Sequence, residues 1–598
     1  MDIHFGRSRK WRLLSLNKIL YFPRILKTRE KRFLALLIFI ILSSGTLLAV
    51  RTYARLTIPV PASGGSYQEG LLKVPQSINP LYIPANDTDR DISRLVFSGL
   101  FTYNGNGELI PDLAERYEVS GDEKTYTIHL RDNLTWQDGK PLTVEDVLFT
   151  IGRIQNPLYK SQLRQNWQGV TAEKADDHTI RLTLRTPYVP FVENLTLRII
   201  PKHLWEQIGP DQSLLHELNL KPVGSGPYKF DTFKTDAKGL IVWYRLKRND
   251  RYYRGVPYIT DITFRFYDTE EAVIAAWRKG EINAFGPIPN SFSSSLDPMK
   301  GTIEAIHIPR IFGIFINDTN TPILQDAHVR QAIAYAINRQ DITQKAIFGG
   351  AIPYSAALPS FSLNKSASST VTDHDPEHAR QLLTDAGWID TDGDGIREKD
   401  IQKRASSTPI TQKGKTSAKP QTEHTQLQFT LTTSDWPDLV HAAELIKEEL
   451  AGIGIGVTID SKAFPDLETS VIKPRVFSLL LFGQAYGYEP DPFAFWHSSQ
   501  EKDPGLNITQ YKNPTVDTLL EDARKEPNTN TRKDLYTKAE ALVEKDVPAV
   551  FLFSQLYQYL LPPEIKGVHI DRISLPADRF NEVEKWYLTT GRTFRGFK

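Results

Sequence analysis

The hydrophobic pattern begins with one uninterrupted run. Phe33–Val50 (FLALLIFIILSSGTLLAV) is 18 residues without a charge. At ~1.5 Å rise per residue, such a run just crosses a ~30 Å hydrocarbon core, so a transmembrane helix is expected over 33–50. Residues 51–66 carry Pro, Ser and Gly and read as a linker. From Tyr67 onward two periods alternate. Ile92, Leu95, Val96 and Leu100 recur at helical spacing and predict a helix ending near Ser98–Gly99. Lys124–Leu130, Thr179–Leu184, Ile262–Tyr267 and Ile311–Asn317 predict strands. Thr143 with Asp146 three residues on reads as a capping box opening a helix. Glu270–Lys279 is amphipathic and ends at Gly280, and apolar residues from Val329 to Ile347 predict one further helix. Strand Leu427–Thr433, helix Leu439–Leu450 and strand Ile455–Ile459 form a strand–helix–strand unit, which implies a parallel pair. The whole reads as an α/β protein.

Charge adds a direction. Residues 1–32 hold ten Lys and Arg against Asp2 and Glu30, a local +8. The whole chain carries +1, so the remainder is acidic at −7 and offers nothing for nucleic acid. A basic arm (1–32) before an apolar run keeps the arm cytoplasmic and the rest outside. A retained anchor is the expectation, with a cleaved signal peptide as its rival. Cysteine is absent, which excludes disulfides, thiolate metal sites, a cysteine nucleophile and a cysteine-borne lipid.

The motif search finds no G-x-S-x-G, H-E-x-x-H or phosphate-binding G-x-x-x-x-G-K-[ST]. No catalytic residue and no cofactor is assigned. Asp390, Asp392, Asp394 and Gly395 make D-x-D-x-D-G, the opening of a calcium loop, but Ile401 stands where the closing Glu belongs. A plain Asp/Gly turn is the simpler reading, and no metal is assigned. Residues 402–425 are polar and basic and read as a disordered surface loop. Arg330 is expected in a buried ion pair or a helix–loop contact.

The densest chemistry lies in Gly483–Ser499, GQAYGYEPDPFAFWHSS. Five aromatics surround Glu489 and Asp491, and Pro490 and Pro492 exclude a helix around Asp491. The expectation is a stiff, non-helical segment that seats a cationic group between carboxylate and rings.

Several long segments, in order, carry a family resemblance: NPLY at 79–82, DLAERYEVSGDEKTYTIHLRDNLTWQDGKPLTVEDVLFTI at 112–151, VGSGPYKF at 223–230, DAHVRQAIAYAINRQDITQKAIFGG at 326–350 and DPEHARQLLTDAGW at 375–388. From about Tyr67 to Gly567 the chain resembles the peptide-type (family 5) solute-binding proteins of ABC importers. The resemblance implies a type II periplasmic-binding-protein fold, cluster C-like, with two lobes, a hinge and an extra domain, preceded by one transmembrane helix. It implies lobe I at about 67–105, 224–308 and 562–598, an inserted domain at about 106–223, and lobe II at about 309–561. It also implies a monomeric peptide binder that serves permease subunits on the extracytoplasmic side of the membrane. On that resemblance Asp491 is the first choice for the counter-charge to a peptide amine and Glu489 the second. Tyr486, Tyr488 and Trp496 would wall the same end. No arginine for a ligand carboxylate is identified. An oligosaccharide, a nickel chelate or an opine in the same fold is the alternative, and a hydrolase using Glu489 and Asp491 as a carboxylate pair a remote one.

Overall fold

The computed structural model describes residues 27–82, 86–295, 300–359, 374–402 and 422–595. Most of the basic arm and most of the polar segment 402–425 lie outside the described residues. The chain folds as two compact units, divided at Ala62/Ser63 and at Leu588/Thr589.

In the first unit a 29-residue helix, Thr28–Leu56 (α1), contains the apolar run and buries none of its residues. It outruns the expected 33–50 because its flanks hold neither Gly nor Pro, so nothing stops the helix before the β-branched Thr57. The expected linker is therefore shorter. Thr57–Ala62 is a strand that pairs antiparallel with Thr589–Phe594, residues expected in lobe I.

The second unit is built on an eleven-stranded mixed sheet. Its strands are Ser66–Leu72 (β1), Tyr228–Thr235 (β2), Ile241–Arg248 (β3), Asp261–Tyr267 (β4), Ala284–Phe285 (β5), Thr302–Ile316 (β6), Gln428–Ser434 (β7), Gly456–Lys462 (β8), Leu479–Ala485 (β9) and Ala549–Leu561 (β10). Their order is β8-β7-β9-β6-β10-β5-β1-β4-β3-β2, with Ala351–Pro353 added beside β10. The predicted parallel pair is β7–β8, joined through Pro437–Ala451 (α2). A separate four-stranded antiparallel sheet holds 114–119, 125–130, 171–174 and 179–183.

Two cores flank the middle of the large sheet. Tyr67, Ile92, Trp136, Trp167, Phe264 and Trp586 belong to one. Ile314, Ile333, Leu431, Ile446 and Leu481 belong to the other. The long strands β6 and β10 pass between them. Their antiparallel pairing runs from Thr302↔Leu561 to Phe315↔Ala549 but breaks register between His307 and Ile311 and again at Phe312/Gly313. A bulge of this kind bends a strand and lets its two halves pack on different layers.

Local chemistry explains most of the boundaries. The capping box is present, with Thr143 and Asp146 opening the helix Val144–Gln155. Gly280 closes Glu270–Lys279 at φ 75°, in the left-handed region that favours glycine. The single helix expected over 329–347 is instead broken. Ala327–Ala336 ends at Ile337, and a new turn starts at Asn338, whose side chain accepts a hydrogen bond from Asp341 N. Glu449 accepts from Asn338 N and fixes the break. Apolar spacing continued across this break, which is why periodicity alone missed it. Residues 422–425, expected in a disordered loop, form with Gln426 a strand against 398–402.

A buried charge cluster ties the first core together. Arg579 donates to both oxygens of Asp91, at 2.8 and 2.6 Å, and to Glu69 at 2.7 Å. The other Glu69 oxygen accepts from Tyr67 at 3.0 Å and Tyr559 at 2.8 Å. All three charged side chains are almost wholly enclosed. Removing one partner strands the other charges without solvent. Arg579→Met should therefore cost about 3–5 kcal/mol. Arg579→Lys should not restore it, because a single ammonium cannot span Asp91 and Glu69 with the same fork. Urea unfolding of the full chain in detergent, read as a shift of the transition midpoint, checks both variants.

Candidate functional site

Among the described residues no strand pairs with one side of β9 beyond Leu481, and this free edge defines the candidate site. β7 pairs with β9 only from Leu431↔Leu479 to Thr433↔Leu481. Beyond that register β7 ends at Ser434 and the chain leaves through Asp435 and Trp436 into α2. β9 runs on to Ala485, held on its other side by β6 as far as Arg310↔Ala485. Tyr486 N donates to Pro309 O at 2.9 Å, facing β6. By strand alternation the backbone groups of Gly483 and Ala485 face the other way, towards the unpaired side.

A groove of about 550 Å³ runs along this edge, with Phe312, Trp436, Phe464, Phe482, Arg310 and Asp435 among its lining residues. Trp436 is 47% exposed and Phe464 51%, large apolar surfaces left open beside the edge. Phe464 stacks on Phe482 at 6.2 Å between ring centres, and Phe312 stacks on Phe553 at 5.0 Å. Gly483 is needed here, because a Cβ would lie 2.8 Å from the Phe312 ring. Burial presses the Arg310 guanidinium towards its neutral form, against the pull of Asp87. Among the described residues no carboxylate lies within ion-pair distance of it. Asp435 is exposed, and among the described residues only its backbone is engaged, by the Lys462 carbonyl at 2.8 Å. The groove thus offers an unpaired strand edge, aromatic walls, a cation and an anion.

The residues singled out from the sequence lie just past this edge and take other partners. Asp491 is already neutralised: Arg524 Nε approaches its two oxygens at 3.1 and 2.9 Å, and Tyr188 donates to it at 3.2 Å. Arg524 also lies 3.6 Å from the centre of the Phe493 ring. A carboxylate so placed fixes its own segment. Glu489 is about half exposed, 3.7 Å from Arg532. Tyr486 is buried and donates to Ala357 O at 2.9 Å. Trp496 is enclosed in a third apolar core beside Tyr511 and Phe551. Of the five, Tyr488 lines a cavity, a separate one of about 260 Å³ that it shares with Asp89, Arg94, Glu193 and Asp578, stacked on Tyr103 at 3.8 Å. The segment is also less uniform than expected. It starts as strand, and Phe493–Trp496 makes one helical turn capped by Pro492, because Pro is admissible before a first turn.

Arg330, as expected, makes helix–loop contacts: it donates to Leu324 O at 2.7 Å and to Asp546 O at 2.8 Å. The groove residues escaped sequence reasoning. The strand was expected to start at Ile311, which left Arg310 outside it. The available signal was the alternation of Arg310, Phe312 and Ile314 on one face.

Residues 108–505 match bacterial extracellular solute-binding proteins of family 5 (its middle region), and the chain belongs to that family. Over 538 residues it is 26% identical to the oligopeptide-binding protein AppA of Bacillus subtilis, covering 88% of this chain and 92% of that one. A structure of that protein in complex with a nonapeptide superposes with a TM-score of 0.66 at 25% identity, covering 89% of this chain and 100% of that one. The ABC transporter substrate-binding protein CtaP of Listeria monocytogenes superposes at 0.72, with 26% identity, covering 88% and 100%. The fold is the type II periplasmic-binding-protein fold, as the resemblance implied.

Beneath the segment, Glu193 accepts from Glu489 N at 2.6 Å. Gly487 admits it: a Cβ there would lie 2.6 Å from the Glu193 carboxylate. Burial first, then the charge of Glu489, pushes the Glu193 pKa up to about 7, against the backbone donors. The folded state therefore holds a proton that the unfolded chain, at the ordinary value of 4.5, has released. Stability from this group is full below 4.5 and is lost as pH rises towards 7. Glu193→Gln should flatten that part of the pH–stability profile and be more stable than wild type at pH 8, as read by thermal unfolding from pH 5 to 8.

Proposed function

We propose that this protein is the membrane-anchored, extracytoplasmic binding component of an ABC importer, capturing peptides and handing them to permease subunits. The observation that carries the reading is the unpaired β9 edge in its aromatic groove. An extended peptide added there pairs backbone to backbone, so recognition is indifferent to most side chains. Phe482–Ala485 offers room for about four residues at ~3.3 Å each. Trp436 and Phe464 then serve apolar side chains on alternate positions. Arg310 receives a ligand carboxylate and Asp435 a ligand amine, since either charge buried alone is costly. Asp491, the first choice from the sequence, instead shapes the approach to the groove through Arg524, with Tyr486 and Trp496 packed behind. Tyr488 and Glu489 lie beyond the groove's end.

The lobes proposed are about 67–105, 224–308 and 562–588 for the first, with 106–223 inserted, and 309–561 for the second. The register break of β6 between His307 and Ile311 lies at the 308/309 junction and suits hinge closure. The helix α1, apolar and unburied, suits an anchor; a signal sequence has the same composition.

Native mass spectrometry of the full chain released from detergent tests the ligand class. Adducts whose masses resolve into amino-acid residues support peptides; one discrete non-peptide mass overturns them. The site has its own test. Arg310→Ala should weaken free-carboxylate peptides about 10- to 100-fold, as expected for a lost charge-assisted hydrogen bond, and C-terminally amidated ones little. Equal loss for both by calorimetry removes Arg310 from that role. Trp436→Ala should lower affinity for peptides carrying apolar side chains and leave the unfolding temperature within a few degrees, since its ring is half exposed.

A further inference from the structure

From sequence alone, the turn that follows Trp388 reads as a plain Asp/Gly turn. The structure assigns it more: we infer that Asp390, Asp392 and Glu398 form a calcium site at the base of the hairpin 398–402/422–426. One carboxylate oxygen from each of the three lies within 4.8 Å of the others. Counting Asp390 as the first loop position, Asp392, Asp394 and Glu398 fall at the third, fifth and ninth, and Gly395 at the sixth, where the calcium loop also turns sharply. The missing twelfth-position Glu is thus answered by a carboxylate within the loop.

Proximity of acids alone would mean little. The second observation is Glu398 itself, 3% exposed. Its Oε1 accepts from Thr391 N at 2.5 Å and from the Thr391 hydroxyl. Its Oε2 is enclosed and, among the described residues, accepts no hydrogen bond. A buried carboxylate oxygen without a partner is costly, and a cation is what offsets it. Among the described residues, the neighbouring cations Arg397 and Lys399 are committed elsewhere. Arg397 donates to Thr384 and to Trp388 O at 2.9 Å each, and Lys399 to Ala386 O at 2.5 Å.

The remaining loop bonds are compatible with an ion. Asp390 accepts from Gly393 N at 2.8 Å and Gly395 N at 3.1 Å, which leaves each oxygen a second lone pair. Asp392 accepts from Asp394 N through one oxygen. Asp394 takes Ile396 N and Gln426 Nε2 and thereby locks the second hairpin strand to the turn. Asp390 and Asp392 are exposed, so water would complete the shell. An irregular, partly hydrated set of oxygens suits Ca²⁺ and not Mg²⁺, which demands near-ideal octahedral geometry.

The test is calorimetric titration of metal-stripped full chain in detergent with calcium chloride and, separately, magnesium chloride. A dissociation constant of about 10⁻⁴ to 10⁻³ M, the range of extracellular calcium modules, is expected, with magnesium at least about tenfold weaker. Asp392→Asn, on an exposed side chain, should weaken calcium at least about tenfold while folding normally. Glu398→Gln should abolish the calcium-induced rise in unfolding temperature and, in chelator, unfold no earlier than wild type. No heat from wild type up to about 10 mM calcium overturns the site. Unchanged affinity in both variants overturns it too, by placing the ion elsewhere.

Discussion

The buried arginine at 579 is the constraint on which the first core rests. It joins four stretches far apart in the chain: β1 through Glu69, the helix Asp87–Val96 through Asp91, β10 through Tyr559 and the turn 576–580. Its guanidinium also lies 4.2 Å from the Phe580 ring centre and 5.2 Å from that of Tyr559. Such a cluster adds little net stability over an apolar core, but it admits one arrangement, because any other leaves a charge unpaired. With β10 fixed at that end, its far half is free to serve the second core. The groove depends on this, since β6 reaches Arg310 and Phe312 only by following β10 across.

Negative charge is handled differently in each place. Asp491 is paired with Arg524, Asp91 and Glu69 share the single charge of Arg579 while burial pushes Asp91 towards its protonated form, and Glu193 retains a proton up to about 7. Asp435 alone among these stands exposed with its carboxylate uncommitted. The proposed site and the scaffold differ here in which charges already have partners, and residue type does not reveal that.

Much of the fold was legible because its signals are local. Capping at Thr143, the glycine stop at Gly280 and the β7–α2–β8 unit each need only a short window. The helix break at Asn338 was not, because it depends on Glu449, over a hundred residues away. The site suffered most. Tyr486, Tyr488, Glu489, Asp491 and Trp496 drew notice by density, yet density of rings and acids marks a packed corner as readily as a pocket. Arg524, which settles the state of Asp491, sits in an ordinary amphipathic helix. Arg310 and Trp436 become conspicuous only once the pairing of β7 is known to stop four residues short of the end of β9.

The bulge in β6 places Arg310 at the bend itself. If its counter-charge arrives with the cargo, then loading and bending share one residue, and neither can be tuned alone. Substitutions that stiffen residues 308–310 would alter how long cargo is retained even where every groove contact is preserved. Selection on retention time would therefore register in the backbone of this strand, remote from the side chains that touch the ligand.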